Sequence, residues 1–452
     1  MINSTKWTVR KQIQKIKQSF FQVNGLPLND ILTDDMLKRI AEEGGNYRDK
    51  VFTPLNTLKT FLWQVLSENG SCKEAVANVL VERIEQGLPP NSVNTGPYCK
   101  ARRRLPVSPI VSAVKETGDA LHQQTKPEWK WRDYNVLMVD GTTMLMADTE
   151  ENQKEFPQQS VQKPGLGFPI VRLVGLISLS VGSLKNYAIS AYQGKGSGES
   201  SLFSLLIETI IEGDLLLADR YYCTYAIVAL MQHQDAPVVF RNHAKKITDF
   251  RRGKKLGPKD HLIHWAKPKR KPTWMSEADY EKLPTSLQVR EFAVNGIVYV
   301  TTLSDASCFH KKEIASLYQK RWKIELDIRT IKTDMGMEML RCKTPEMVKK
   351  EIAVYLLAYN LIRTTIAQAA KRHNKLPRSL SVKAAIQLLS AARQQVRKQP
   401  SITFTAMILK AIASTMIGQR KRKPQPRAVK RRPKAYPLLM ESREIACSKL
   451  IC

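Results

Sequence analysis

Two patterns run side by side between Tyr318 and Lys332. Tyr318, Arg321, Glu325, Arg329 and Lys332 recur at spacings of three, four, four and three. On an α-helix turning about 100° per residue these five fall within one arc of roughly 80°. Leu317, Ile324, Ile328, Ile331 and Met335 fall on a second arc about 100° away, the stripe a helix buries against a core. The pattern predicts one helix that fixes a single carboxylate, Glu325, at the edge of a core and among cations.

Residues 1–125 carry helical periodicity, with predicted helices at 5–22, 34–43, 54–67, 72–86 and 97–104. The fifth is capped by Asn94-Thr95 and runs into Lys100, Arg102, Arg103 and Arg104. With the fourth it reads equally as a helix-turn-helix with a basic second helix or as an ordinary pair with a solvated basic face.

From Tyr134 the period changes. The apolar run 136–139 ends at Asp140, strands are predicted at 169–180 and 186–193, and a helix at 202–211 follows. A second buried run, 215–218, ends at Asp219, ahead of a helix at 225–233 and a strand at 238–241. This order predicts a mixed α/β domain with a buried central sheet; an RNase H-like fold agrees with it, as do other α/β sheets.

Residues 242–271 are dense in Lys, Arg, Gly and Pro, and strands at 289–293 and 297–303 flank Asn295-Gly296, a strong hairpin signal. This stretch reads as a β-rich insertion at about 242–305. Helices are predicted at 346–372, 382–397 and 403–416, and residues 419–434 hold nine basic residues and no acidic one. The expected division is a helical DNA-binding region at 1–125, a catalytic domain at 130–345, a helical region at 346–418 and a flexible basic tail at 419–452.

Charge narrows the function. The 72 basic residues against 41 acidic ones leave +31, which favours a polyanionic partner such as nucleic acid. A membrane role finds no support: the best apolar stretch, 352–370, is broken by Asn360 and Arg363 and reads as a buried helix. The start, Met1-Ile-Asn-Ser-Thr-Lys-Trp, lacks the apolar core of a signal peptide, so a cytoplasmic, nucleoid-associated protein is expected. Seven cysteines form no CxxC pair, which fits reduced thiols and argues against a cysteine zinc site.

Asp140 and Asp219 each emerge from a buried strand, where an unpaired carboxylate is costly unless a hydrogen bond, a cation or a metal satisfies it. Either one alone reads more readily as a turn former or strand cap. Together with Glu325 they form a set of three carboxylates without His or Cys, which suits Mg²⁺ or Mn²⁺ rather than zinc. Two such ions about 3.5–4 Å apart activate a water or a 3′-hydroxyl in phosphodiester chemistry. Gly194-Lys-Gly-Ser-Gly-Glu-Ser lacks the order of a phosphate loop and reads as a strand-to-helix turn. His261 and His264 lack further ligands and read as solvated or phosphate-contacting.

Tyr318-x2-Arg321-x3-Glu325-x6-Lys332 reproduces the Tyr-Arg-Glu-Lys signature of bacterial insertion-sequence transposases of the IS-four type, within the DDE class. Val139-Asp140-Gly-Thr-Thr resembles that family's first acidic motif, and Ala218-Asp219-Arg220-Tyr-Tyr-Cys its second. The resemblance spans roughly 130–360. It implies an RNase H-like core flanked by helical regions, with Asp140, Asp219 and Glu325 as the metal-binding catalytic triad and Mg²⁺ as the cofactor, Mn²⁺ substituting. It further implies that Arg321 and Lys332 contact transposon-end phosphates, that Tyr318 hydrogen-bonds near them, and that Trp322 stacks on DNA near the cleaved end. Simple packing is the rival for Trp322, and for Arg329 an intrahelical pair with Glu325.

Family members cleave the element's ends, pass through a hairpin intermediate and join the ends to target DNA as a dimer. A flipped base would then need a pocket, for which Phe292 or Tyr299 are candidate walls. Two alternatives share the same carboxylates or the same fold: a structure-selective DNA nuclease, and a noncatalytic DNA-binding derivative.

Overall fold

A computed structural model of the chain describes residues 2–22, 26–44, 51–243, 246–397, 402–417 and 439–449. The basic run 419–434 lies outside them. Six helices precede the sheet: α1 (Ile2–Ser19), α2 (Asp34–Glu42), α3 (Pro54–Leu66), α4 (Cys72–Glu85), α5 (Gly96–Arg104) and α6 (Val107–Gln123). Thr33, Thr53 and Ser71 cap α2, α3 and α4 by accepting a backbone N–H three residues on. Helix α6 had no forecast, because Pro109, Gly118 and five β-branched residues weaken its intrinsic propensity. It forms because its apolar face packs against the sheet and the long C-terminal helix.

The strands are β1 (Asn135–Met146), β2 (Ile170–Ser178), β3 (Leu184–Ala191), β4 (Asp214–Ala218), β5 (Val238–Arg241), β6 (Lys254–Gly257), β7 (Asp260–Ala266), β8 (Ser286–Val294), β9 (Ile297–Thr301) and β10 (Met339–Leu340). They form one sheet in the order β3-β2-β1-β4-β5-β9-β8-β7-β6, with β10 pairing to β1. Strands β1, β2 and β3 are antiparallel, while β4 and β5 run parallel to β1. This five-strand order is the RNase H-like core.

The segment read as an insertion supplies β6 to β9 and extends the same sheet, since β9 pairs antiparallel with β5. Asn295 and Gly296 both take positive φ, 52° and 76°, as the hairpin turn between β8 and β9 requires. His261, expected to be solvated, is fully buried on β7; its Nδ1 donates to the Arg252 carbonyl at 2.6 Å and Nε2 lies 3.6 Å from Glu291.

Alternation along the strands separates two cores. Val136, Met138, Leu215 and Leu217 face a layer with α3, α6 and the long helix α13 (Pro345–Arg372), whereas Leu137, Val139, Leu216 and Ala218 face the opposite layer. Between α6 and α13 lie α7 (Glu150–Glu155), α8 (Glu199–Ser204), α9 (Tyr225–His233), α10 (Glu277–Lys282), α11 (Lys311–Gln319) and α12 (Lys323–Arg329). Helix α8 with the short turn Ile207–Thr209 replaces the longer helix predicted at 202–211. Helices α14 (Val382–Arg397), α15 (Ile402–Ser414) and α16 (Arg443–Ser448) complete the chain. No helix among the described residues is long and apolar enough to cross a membrane.

Candidate active site

Strand β1 is three times as long as its apolar run predicted, so Asp140 sits inside the strand, paired with Gly175 of β2, and not at its end. Hydrophobic periodicity marks only the buried half of β1; the half-exposed stretch from Asp140 to Thr143 is held by pairing to β2. Asp219 directly follows β4. In the parallel register Met138 lies beside Leu217, and counting two residues on in each chain puts Asp140 beside Asp219. Two residues restore the same side of a strand. Both carboxylates therefore leave the sheet on the face of Met138 and Leu217, which is also the face that Ile324 and Ile331 of the signature segment pack against.

The signature segment is not one regular helix. Helix α11 passes through a 3₁₀ turn at Lys320–Trp322 into α12, and a π turn at Thr330–Asp334 closes it. The tighter and wider turns redistribute the arc expected of a uniform helix. Leu317, Ile324, Ile331 and Met335 are nevertheless buried as the pattern required.

Arg321 joins the carboxylates. Its Nη2 donates to Glu325 Oε1 at 3.0 Å and its Nη1 lies 3.7 Å from Asp140 Oδ2. Glu325 thus takes Arg321, not Arg329, as its partner, because the Arg321 side chain is held between strand and helix while Arg329 faces solvent. Burial pushes the Asp140 carboxyl up to about 6 against the pull of Arg321, and the charges of Glu199 and Asp219 add to the rise. Asp219 Oδ1 accepts from the Tyr221 amide at 2.8 Å, a local turn that fixes its rotamer.

Among the described residues no three His, Cys, Asp or Glu side chains stand close enough to hold one metal ion. The structure brings Asp140 and Glu325 to the two ends of one guanidinium and sets Asp219 within electrostatic reach of Asp140. The donor set is still that of a hard cation: carboxylate oxygens only, with a cationic group already drawn between two of them.

Tyr318 is half-buried, stands edge-on to Tyr299 at 5.3 Å and feels the positive charge of Arg321. Phe292 is stacked on the far side of Tyr299 at 5.2 Å. These two do not wall an open pocket: Phe292 is 0% and Tyr299 2% exposed. They carry the β8–β9 hairpin onto the signature segment through Tyr318, since large aromatic rings gain most from full burial. Trp322, by contrast, is 58% exposed, and Leu326 one turn on is 45% exposed. Lys332 lies half-exposed in the π turn.

Two groups escaped the sequence reading. Asp327 is 2% exposed and receives Arg363 of α13 and both terminal nitrogens of Arg378 at 2.7 Å. Its only sequence signal was its place beside Ile324 and Ile328. Glu199, the first residue of α8, lies with its carboxylate against Gly141, next to Asp140. The motif containing it read only as a turn.

Residues 131–361, just over half the chain, match the family model described as Transposase DDE domain. The chain belongs to that family. It is 28% identical over 355 residues to the transposase InsG for insertion sequence element IS4 of Escherichia coli (strain K12), covering 76% of this chain and 77% of that protein. Among solved structures, piggyBac transposase in a synaptic complex with hairpin DNA aligns with a TM-score of 0.45 and 10% identity, over 87% of this chain and 85% of that one. The protein is a DNA transposase of the IS4 type, an enzyme acting on DNA, and the family uses divalent metal ions.

Proposed function

We propose that this transposase cleaves the ends of its insertion sequence and joins them to target DNA at a site built from Asp140, Asp219 and Glu325. The observation that carries the reading is the placement of Asp140 on β1 beside the end of β4, with Arg321 spanning from Asp140 to Glu325. The three carboxylates would hold Mg²⁺, with Mn²⁺ able to substitute. Divalent charge there would activate a water or a 3′-hydroxyl and stabilise the leaving oxygen.

The chain's own cations do the rest. Arg321 balances two carboxylates in the free protein, and its planar guanidinium offers a bidentate grip to a phosphate of the bound end. Lys332 contributes a second positive charge, and Tyr318 orients Arg321 from its seat on Tyr299. Exposed Trp322 offers a face to an unstacked base, worth about 1–3 kcal/mol. The helices α1 to α6 and the basic run 419–434 take part in end recognition, and two copies of the chain pair two ends.

Purified protein, end-containing DNA and Mg²⁺ test the reading. Joined products support it; cleavage without joining indicates a nuclease, and binding without cleavage a noncatalytic DNA-binding protein. Glu325→Gln is expected to abolish cleavage while end binding persists, and wild-type turnover in that variant would remove Glu325 from the site.

A further inference from the structure

We propose that Glu199 is a positioning residue of the reaction: its carboxylate is a wedge that holds the Asp140 segment of β1 against the turn carrying Asp219. The proposal rests on the reading of Asp140 and Asp219 as catalytic. A Cβ added to Gly141 would lie 2.6 Å from Glu199 Cδ and Oε1 and 2.8 Å from Cγ, so the Glu199 side chain fills the space that any other residue at 141 would claim. Gly141 takes its place in the β1–β2 ladder opposite Val174, and its Cβ direction is opposite to that of Asp140. Glu199 therefore supports the strand from beneath, on the face away from the three carboxylates.

The other carboxylate oxygen faces Asp219's turn. Tyr222 Oη stands 3.5 Å from Glu199 Oε2, at the outer limit of a hydrogen bond, and Tyr222 is itself 1% exposed and packed edge-on against Phe203 of α8. Delivery of Glu199 is also built in. Arg172 of β2 donates to the Ser197 carbonyl at 2.5 Å and lies over the Tyr192 ring at 4.7 Å, which pins the turn leading into α8. Gly194 and Gly196 make that turn with φ of 117° and 80°, values side chains rarely adopt. A glutamate is ordinarily exposed to water. Here it is drawn inward, between the strand of one aspartate and the turn of the other.

Cleavage kinetics of four variants on pre-bound end DNA test the role. Glu199→Ala is expected to slow single-turnover cleavage about 10- to 100-fold, the cost of a small misplacement of a reacting group. End-DNA affinity and melting temperature should match the wild type. Glu199→Gln fills the same space and accepts from Tyr222, so its rate should stay within about threefold. Gly141→Ala should reproduce the loss without unfolding, because the atoms it displaces are the far end of a flexible side chain. The double variant Gly141→Ala/Glu199→Ala should be no slower than either single change, since both remove one contact. Wild-type cleavage by Glu199→Ala, equal losses in Glu199→Ala and Glu199→Gln, or multiplied losses in the double variant each overturn the proposal. Asp140→Asn separates the two levels: cleavage in that variant refutes the catalytic reading, whereas its inactivity beside a fully active Glu199→Ala refutes only the wedge.

Discussion

Replacing Asp327 with Asn removes one charge from the best-buried ion cluster beside the site. Asp327 is 2% exposed, and its partners Arg363 and Arg378 are 3% and 9% exposed as side chains. Arg363 also donates to Tyr359 Oη at 2.9 Å, but among the described residues no second carboxylate is bonded to either arginine. Burial, aided by Arg378, already holds the Lys323 ammonium down to about 8, so the neighbourhood has no spare negative charge. Neutralising Asp327 strands two buried guanidinium groups, which costs about 3–5 kcal/mol. At about 2–4 °C per kcal/mol for a unit of 150–250 residues, melting should fall by roughly 6–20 °C.

Thermal unfolding followed by circular dichroism reads this, with Glu313→Gln as the comparison. The Arg132–Glu313 pair has equally short bonds, 2.7 and 2.9 Å, but its side chains are 39% and 36% exposed. Water screens such a pair, which is worth about 0.2–1 kcal/mol. If Asp327→Asn and Glu313→Gln melt together, burial is not what gives the Asp327 cluster its weight, and the argument fails.

Three further outcomes follow from the same geometry. Because the Asp140 carboxyl sits at about 6 in the folded chain against an ordinary 3.8, the folded form holds a proton that the unfolded form has lost between those values. Stability without divalent cations should therefore decline as pH rises through that window and level off above it, with a flatter profile in Asp140→Asn; parallel urea midpoints in the two proteins would contradict this. Trp322→Ala should weaken end-DNA binding roughly 5- to 150-fold by fluorescence anisotropy, the equivalent of about 1–3 kcal/mol, with melting unchanged; unaltered affinity would remove the stacking role. Among the described thiols, exposed Cys308 and Cys447 should react rapidly with a thiol reagent under native conditions. Buried Cys223, pushed up to about 12, and buried Cys342 should react only on unfolding, which peptide mapping of the labelled sites can check.

What the sequence by itself determined was local. The buried arc from Leu317 to Met335, the hairpin at Asn295-Gly296, helix α9 and the two aspartates beside β-runs follow from period and turn chemistry, which act over a few residues. The signature motif added the family and, with it, the proposed triad. The tertiary structure alone decided which charges are buried and with whom. Asp327 looked like any polar helix position until Arg363 and Arg378, 36 and 51 residues away, closed over it. Glu199 became a neighbour of Asp140 only because β1, β2 and α8 meet at Gly141. The stretch at 242–305 read as an insertion within the catalytic domain because its first part, dense in Lys, Arg, Gly and Pro, interrupts the α/β order; pairing of β9 with β5 makes it continuous with the central sheet. Local spacing carries no term for such partners, since the energy of a charge depends on what surrounds it in space, and the chain brings those groups together only on folding.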